Sequence, residues 1–236
     1  MKRNYAGKVF LLAVPLLAAA TVAAAGIYFE ILSAAALNCS AAEASVSAAG
    51  GGAAAVAAQR QQPVNVLVAY HTLSGNTEKM AQGVAEGARR VNGVKVVLKK
   101  VEDVTKEDLV AAHGIILGCP TYYANIPGKM KTIIDDWSWK MKVDFTDKVG
   151  GAFATGGGQA GGKEHVIVSL LLYMVNLRMV VAGPLYEDES GDDKWAEMGS
   201  AAMTGPIDPG VNEAELDAAR RLGDRIARLA LKLHGR

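Results

Sequence analysis

Five short apolar runs alternate with stretches of helical periodicity, and this alternation constrains the fold of the chain more than any other feature. The runs that predict strands are Val64–Tyr70, Val94–Leu98, Gly114–Gly118, Val149–Ala154 and Met179–Ala182. The stretches that predict helices are Thr77–Arg90, Lys106–Ala112, Pro127–Trp137, Glu164–Val175 and Asn212–Leu233. This order favours an α/β fold, an open five-stranded parallel sheet with helices on both faces. With strand order 2-1-3-4-5, ligands bind at the carboxyl ends of the strands that flank the reversal of chain direction.

The first 62 residues do not share this pattern. Three cations in residues 1–8 precede 19 residues without charge, 9–27. Because about 20 apolar residues span a bilayer, we predict that residues 1–30 form an N-terminal hydrophobic helix, a single membrane anchor. A cleaved export signal is the alternative, since small-residue sites occur at 23–25 and 34–36. Residues 31–62, rich in Ala, Ser and Gly, predict a flexible tether to one domain, 63–236, and the pattern leaves open on which side of the membrane that domain lies.

Charge and cysteine content exclude several classes of function. The formal net charge is +1, and residues 59–236 are close to neutral. We predict no nucleic-acid partner, because no stripe of Lys and Arg accompanies exposed aromatic residues. The two cysteines, Cys39 and Cys119, have no metal-ligand spacing with the histidines, so we predict no metal site.

The loop after the first predicted strand is rich in hydroxyl groups. It carries Thr72, Leu73, Ser74, Gly75, Asn76 and Thr77. A helix start offers unpaired N–H groups and a partial positive charge, so this loop is suited to bind a phosphate without Lys or Arg. The alternative is that these residues only cap a helix and form a turn. The spacing T-x-S-G-x-T resembles the phosphate loop of the flavodoxin family, where the ligand is the ribityl phosphate of FMN.

Two further loops follow the third and fourth predicted strands. The second reads PTYYANIPGKMK and offers aromatic faces, hydroxyls and an amide to a flat polar-edged ring. The alternative interpretation of this loop is that one tyrosine lies in the core and the other in a surface turn. The third has five glycines among residues 156–162, so its backbone N–H groups can converge on the flavin N1 and O2 edge, where negative charge develops on reduction. The alternative there is a loose connection.

Together the three loops resemble those of the WrbA-type NAD(P)H:quinone oxidoreductases, within the flavodoxin-like NADPH-dependent FMN reductases. The resemblance covers about residues 64–233 and includes the carboxyl-terminal stretch. It implies that residues 72–77 hold the FMN phosphate. It also implies that seven residues bracket the ring and ribityl chain: Pro120, Thr121, Tyr122, Tyr123, Ala124, Asn125 and Ile126. Four residues would bind the pyrimidine edge: Thr155, Gly156, Gly157 and Gly158.

The chain departs from the family pattern in two places. A histidine that the family usually places near the ring is replaced by the segment Asn176, Leu177 and Arg178, which puts quinone positioning in doubt. The predicted membrane segment is the second departure. Members of the family commonly form tetramers, so the resemblance implies a homo-oligomer, a dimer or tetramer.

The resemblance implies an FMN-dependent oxidoreductase that transfers two electrons from NAD(P)H to a quinone-like acceptor. No side chain is assigned a catalytic role, and His71, beside the first loop, is interpreted as a solvated loop residue. One alternative is a flavodoxin-like one-electron carrier, although such carriers tend to be strongly acidic and this domain is near neutral. Another is a non-catalytic, membrane-tethered scaffold.

Overall fold

The structure is a computed structural model, and it describes residues 63–185, 198–205 and 209–235. The strands are β1 (Val64–Tyr70), β2 (Val94–Lys100), β3 (Gly114–Pro120), β4 (Val149–Gly156), β5 (Val180–Val181) and β6 (Ser200–Met203). The helices are α1 (Asn76–Arg89), α2 (Lys106–Ala111), α3 (Gly128–Trp139), α4 (Lys163–Asn176) and α5 (Glu213–His234). All strand pairs are parallel, in the order β2-β1-β3-β4-β5, with β6 also paired to β4. The predicted fold class and strand order are confirmed.

The predicted N-terminal anchor and the tether, residues 1–62, lie outside the described residues. Within the described ranges, no helix is both long enough and apolar enough to cross a bilayer. The described part begins at Pro63, and β1 starts one residue later.

The two faces of the sheet bury separate apolar clusters because neighbouring side chains of a strand point to opposite faces. In β1, Val66 and Val68 belong to one cluster, whereas Leu67 and Ala69 belong to the other. The first cluster packs beneath α1 and α5, and the second beneath α2, α3 and α4. Burial on both faces explains why the central strands are almost continuously apolar, as in other parallel sheets.

Helices α1 and α5 approach each other closely through small residues. A Cβ atom added to Gly87 would lie 1.9 Å from the carbonyl oxygen of Arg220. On the facing helix, a Cβ atom added to Gly223 would lie 1.9 Å from the carbonyl oxygen of Val84. The two backbones therefore touch where any larger residue would separate the helices.

The edge next to β4 differs from the prediction of a single fifth strand. β5 contains only two residues, which pair with Val149 and Gly150. Pro184 follows it closely, and a proline has no N–H with which to extend a ladder. The remainder of the edge is β6, which runs beside the other half of β4, from Phe153 to Gly156. The fifth position of the sheet is thus filled by two pieces of chain, and the sequence did not predict the second.

Candidate functional site

Three loops meet at the carboxyl edge of the sheet, where β1, β3 and β4 end, and Thr155 joins all of them. The Thr155 hydroxyl lies 2.8 Å from the hydroxyl of Thr77, at the start of α1. Its carbonyl oxygen accepts a hydrogen bond of 2.7 Å from the backbone N–H of Thr121. Thr77 and Thr155 are both buried. The structure therefore brings the three predicted loops into one site.

The first loop ends at a helix start whose N-cap residue, Gly75, provides no side-chain cap. Gly75 occupies the N-cap position in the left-handed region, at φ 95°. Its N–H donates to the hydroxyl of Thr72 at 3.0 Å, and the side-chain amide of Asn76 donates to the hydroxyl of Ser74 at 3.3 Å. Both hydroxyls act as acceptors in these bonds, so each can still donate its own hydrogen. Leu73 extends into solvent between them. An oxyanion placed at this helix start would meet hydroxyl donors and the positive end of the helix dipole.

The second loop forms a tight turn that holds its tyrosines at the surface. Tyr122 and Asn125 exchange two backbone hydrogen bonds, of 3.0 and 2.9 Å. Between them Tyr123 and Ala124 both have positive φ, 51° and 60°, as in a type I′ turn. Neither tyrosine is buried, so the reading that places one of them in the core is wrong. The Thr121 hydroxyl oxygen is buried and has no hydrogen-bond partner among the described residues. A buried hydroxyl of this kind is a place where a bound molecule would supply the partner.

The third loop is packed against two neighbouring segments, which does not fit a loose connection. A Cβ atom added to Gly162, which has φ 86°, would lie 2.5 Å from the Cβ of Ala124 in the second loop. The N–H of Thr204 donates to the carbonyl of Gly156 at 2.9 Å. Glycine is therefore required by close approach as well as by backbone conformation.

Lys163 belongs to the site, and the sequence did not single it out. It is the first residue of α4 and only 5% exposed. Its Nζ donates to the carbonyl oxygens of Gly158 at 2.5 Å and Gln159 at 3.3 Å. The signal in the sequence was a cation immediately after the glycine-rich run, at a helix start, where the dipole disfavours positive charge.

His71 is buried, so its interpretation as a solvated loop residue is wrong. Its Nδ1 lies 3.0 Å from Oε1 of Glu102, and the same oxygen lies 2.9 Å from Nζ of Lys129. Burial of Glu102 alone would raise its pKa, but hydrogen bonds from Lys129, its own backbone and His71 outweigh burial and lower it. The N–H of His71 also donates to the carbonyl of Gly118 at 2.9 Å. These contacts fix the beginning of the first loop.

Two groups beneath the loops stay protonated at neutral pH. Burial raises the pKa of the Cys119 thiol to about 12, so this residue contributes no thiolate nucleophile. Burial, together with the hydrogen bond to Glu78, also raises the pKa of Tyr70 to about 12. The Tyr70 hydroxyl donates to that carboxylate at 2.9 Å, which ties the end of β1 to the first turn of α1.

The residues that replace the family's histidine lie away from the three loops. Asn176 and Leu177 are at the end of α4, and Arg178 precedes β5 at the amino edge of the sheet. Asn176 and Leu177 help to line a cavity of about 650 Å³ between α3 and α4, which also includes Trp139 and Tyr173. Within this chain they do not reach the candidate site.

The fold and the three joined loops define a flavodoxin-like α/β protein, and comparison with known proteins specifies the family. Residues 36–188 match the family model of the NADPH-dependent FMN reductases. The chain belongs to this family. That membership confirms the predicted resemblance, with FMN as the cofactor and NAD(P)H as the reductant.

Individual relatives agree with this assignment. A flavodoxin of Aquifex aeolicus (strain VF5) is 38% identical over 172 residues, a match that covers 72% of this chain and 90% of the relative. An NAD(P)H dehydrogenase (quinone) of Acidithiobacillus ferrooxidans is 30% identical over 200 residues, covering 72% and 98%. Among solved structures, a WrbA-like flavodoxin from Agrobacterium tumefaciens is 26% identical with a TM-score of 0.54, over 72% of this chain and 99% of that one.

Proposed function

We propose that this protein is an FMN-dependent oxidoreductase that transfers two electrons from NAD(P)H to a quinone-like acceptor. Bound FMN would supply the redox chemistry, by accepting a hydride and passing both electrons on. The observation that carries the proposal is the junction at Thr155, which joins the hydroxyl loop, the tyrosine turn and the glycine loop at one edge of the sheet. A relative named NAD(P)H dehydrogenase (quinone) supports the same chemistry.

The three loops are assigned separate tasks. The hydroxyl loop, residues 72–77, binds the phosphate with neutral donors and the start of α1. The tyrosine turn, residues 120–126, presents Tyr122 and Tyr123 to the ring and leaves the buried Thr121 hydroxyl to hydrogen-bond the cofactor. The glycine loop, which begins at residues 155–158, lets backbone N–H groups approach the pyrimidine edge. These groups bind and orient, and no side chain is assigned as an acid or a base.

Cofactor binding is tested on the full chain by visible spectroscopy after FMN is added and excess is removed. We expect a yellow protein with roughly one flavin per chain and quenched flavin fluorescence. A colourless protein would overturn the proposal of an oxidoreductase. The non-catalytic scaffold would then be the better description of this protein.

Anaerobic stopped-flow reduction separates the enzyme from a one-electron carrier. The carrier is the second candidate because the relative from Aquifex aeolicus, at 38% identity, is a flavodoxin. For the enzyme, NADH or NADPH bleaches the flavin rapidly and 1,4-benzoquinone restores the colour within one turnover. If neither reductant bleaches it, the carrier is correct.

Membrane attachment and oligomeric state are proposals of the same kind. We propose that residues 9–27 anchor the protein, since they form an uncharged stretch of 19 residues behind three cations. Cell fractionation with protease protection tests attachment and sidedness, and mass measurement of the released protein detects signal cleavage. A homo-oligomer, proposed from the family resemblance, is tested by light scattering of the detergent-solubilised chain.

A further inference from the structure

Lys163 is a buried cation that follows the glycine loop and contacts its backbone. Its side chain is almost completely covered, and the two partners described for Nζ are backbone carbonyls. Within the described part of the chain no carboxylate lies within ion-pair distance of it, although ten ion pairs between Lys or Arg and Asp or Glu are formed there. A buried charge without a counter-charge is costly to fold.

The position of this charge on its helix adds to the cost. Lys163 is the first residue of α4, whose N-cap residue Gly162 provides no side-chain cap. The helix dipole places positive potential at that end, so a lysine there is repelled. Burial and helix position together make the positive charge of Lys163 costly, and a negative group bound in the site would lower that cost.

Lys163 also sets the orientation of the loop backbone. In a planar trans peptide the C=O and the following N–H point in opposite directions. Since the carbonyls of Gly158 and Gln159 point toward Nζ, the N–H groups of Gln159 and Ala160 point away from it. A Cβ atom added to Gly156 would lie 2.9 Å from Cγ of Lys163 and 3.4 Å from Cβ of Thr121, so the lysine stem and Thr121 both border the same side of Gly156. The Thr121 hydroxyl has no hydrogen-bond partner among the described residues.

We propose that Lys163 is a positioning residue that raises the reduction potential of the bound flavin by supplying the counter-charge for its reduced form. Hydride transfer from NAD(P)H delivers two electrons and one proton, releases NAD(P)⁺ and leaves one negative charge on the pyrimidine edge. Lys163 compensates that charge across the glycine loop and transfers no proton. The inference rests on the proposed function, because it requires FMN in the site.

The test compares the two-electron midpoint potential of FMN in the full-length wild type, Lys163→Met, Lys163→Arg and Lys131→Met. Lys131 is the matched control, since it is an exposed lysine of α3 paired with Asp135 at 2.6 Å. In Lys163→Met we expect the preference for reduced over oxidised FMN to fall about tenfold, which lowers the potential by about 30 mV. Lys163→Arg restores most of that loss, and Lys131→Met leaves the potential unchanged.

The pH dependence of the wild-type potential gives a second measurement that needs no variant. One proton taken up with two electrons changes the potential by about 30 mV per pH unit, and two protons by about 59 mV. We expect the smaller slope between pH 6 and 8 in the wild type and a steeper slope in Lys163→Met.

Each outcome decides the matter. Equal potentials in the wild type and Lys163→Met, or a wild-type slope near the larger value, overturn the role of Lys163 while the oxidoreductase stands. If Lys163→Met binds no FMN, two other measurements decide the role of Lys163. They are the pH slope of the wild-type midpoint potential and the midpoint potential of Lys163→Arg. A wild type that binds no FMN overturns the proposed function itself, and the inference with it.

Discussion

At the scale of single residues, the candidate site depends on neutral hydroxyl groups, of which some are exposed and others are buried. Ser74 is exposed in the first loop, whereas Thr77 and Thr155 are buried and share a hydrogen bond of 2.8 Å. An exposed hydroxyl affects a ligand more than the fold, and a buried pair affects both. The two situations give different predictions.

Replacing Ser74 with alanine should weaken FMN binding and leave stability intact. One lost hydrogen bond corresponds to about 1 kcal/mol, or roughly a fivefold higher Kd. Fluorescence titration measures the Kd, and urea unfolding should change by less than about 0.5 kcal/mol. Thr132→Ala is the control, because Thr132 bonds the carbonyl of Gly128 in α3, outside the first loop. Equal Kd values for Ser74→Ala and the wild type would contradict the phosphate assignment.

Replacing Thr155 with valine should destabilise the fold, because the buried Thr77 hydroxyl then loses its partner. We expect a loss of about 1–3 kcal/mol in the free energy of unfolding, measured by urea denaturation. The double variant Thr77→Val/Thr155→Val should recover part of that loss, since both polar groups are then gone. Purely additive losses would show that the two hydroxyls do not interact.

Some residues of the site escaped prediction because their environment comes from distant parts of the chain. His71 is buried, and its Nδ1 lies 3.0 Å from the carboxylate of Glu102, 31 residues further on; nothing next to His71 in the sequence signals that partner. Lys163 resembles an ordinary surface lysine at a helix start until the glycine loop folds over it. By contrast, the first loop was predictable, since its hydroxyls, its glycine and the helix they precede are contiguous.

At the scale of elements, the α1–α5 contact is the most sensitive to a change of a few atoms. Replacing Gly87 with alanine would place the new methyl group 1.9 Å from the backbone of Arg220. We expect destabilisation at the upper end of about 1–3 kcal/mol in chemical denaturation, because backbone atoms cannot rotate aside. Gly128→Ala is the matched control: no atom lies within 4 Å of its added Cβ, and it begins α3. Similar stability of the two variants would contradict the close approach.

The ends of the helices were predicted to within two residues, because local chemistry determines them. In α2 and α5, Thr105 with Asp108 and Asn212 with Glu215 form capping boxes that can be located from adjacent residues. Strand β6 was missed because its four residues, Ser-Ala-Ala-Met, have neither β-branched side chains nor clear alternation. Its position depends on β4, and on the buried Ser200 hydroxyl that donates to the carbonyl of Ala218 at 2.7 Å.

At the scale of the whole molecule, a histidine cluster at the amino edge of the sheet should make stability depend on pH. Nδ1 of His113 accepts a 3.0 Å hydrogen bond from the N–H of Asn65, so the ring must be unprotonated there. The His234 ring is 5.2 Å away, between centroids. Burial, followed by the charges of His234 and Lys148, lowers the pKa of His113. The unfolded chain therefore takes up a proton first as the pH falls.

The contribution of His113 to the free energy of unfolding should therefore be complete at pH values above about 6.5, its pKa in the unfolded chain. This contribution should decline as the pH falls below that value. Urea unfolding at pH 7.5 and 5.5 measures this decline. His113→Asn keeps an acceptor for the N–H of Asn65 but cannot be protonated, so its decline should be smaller than that of the wild type. Parallel declines in both proteins would assign the pH dependence to other groups.

The outer side of β4 is covered by β5 and β6, strands of two and four residues that arrive from different parts of the chain. A long, uniform outermost strand can recruit strands from other molecules and so begin aggregation. Here neither piece is long enough to offer such a template. Among the described residues, this edge of the sheet therefore offers no long strand on which another molecule could pair.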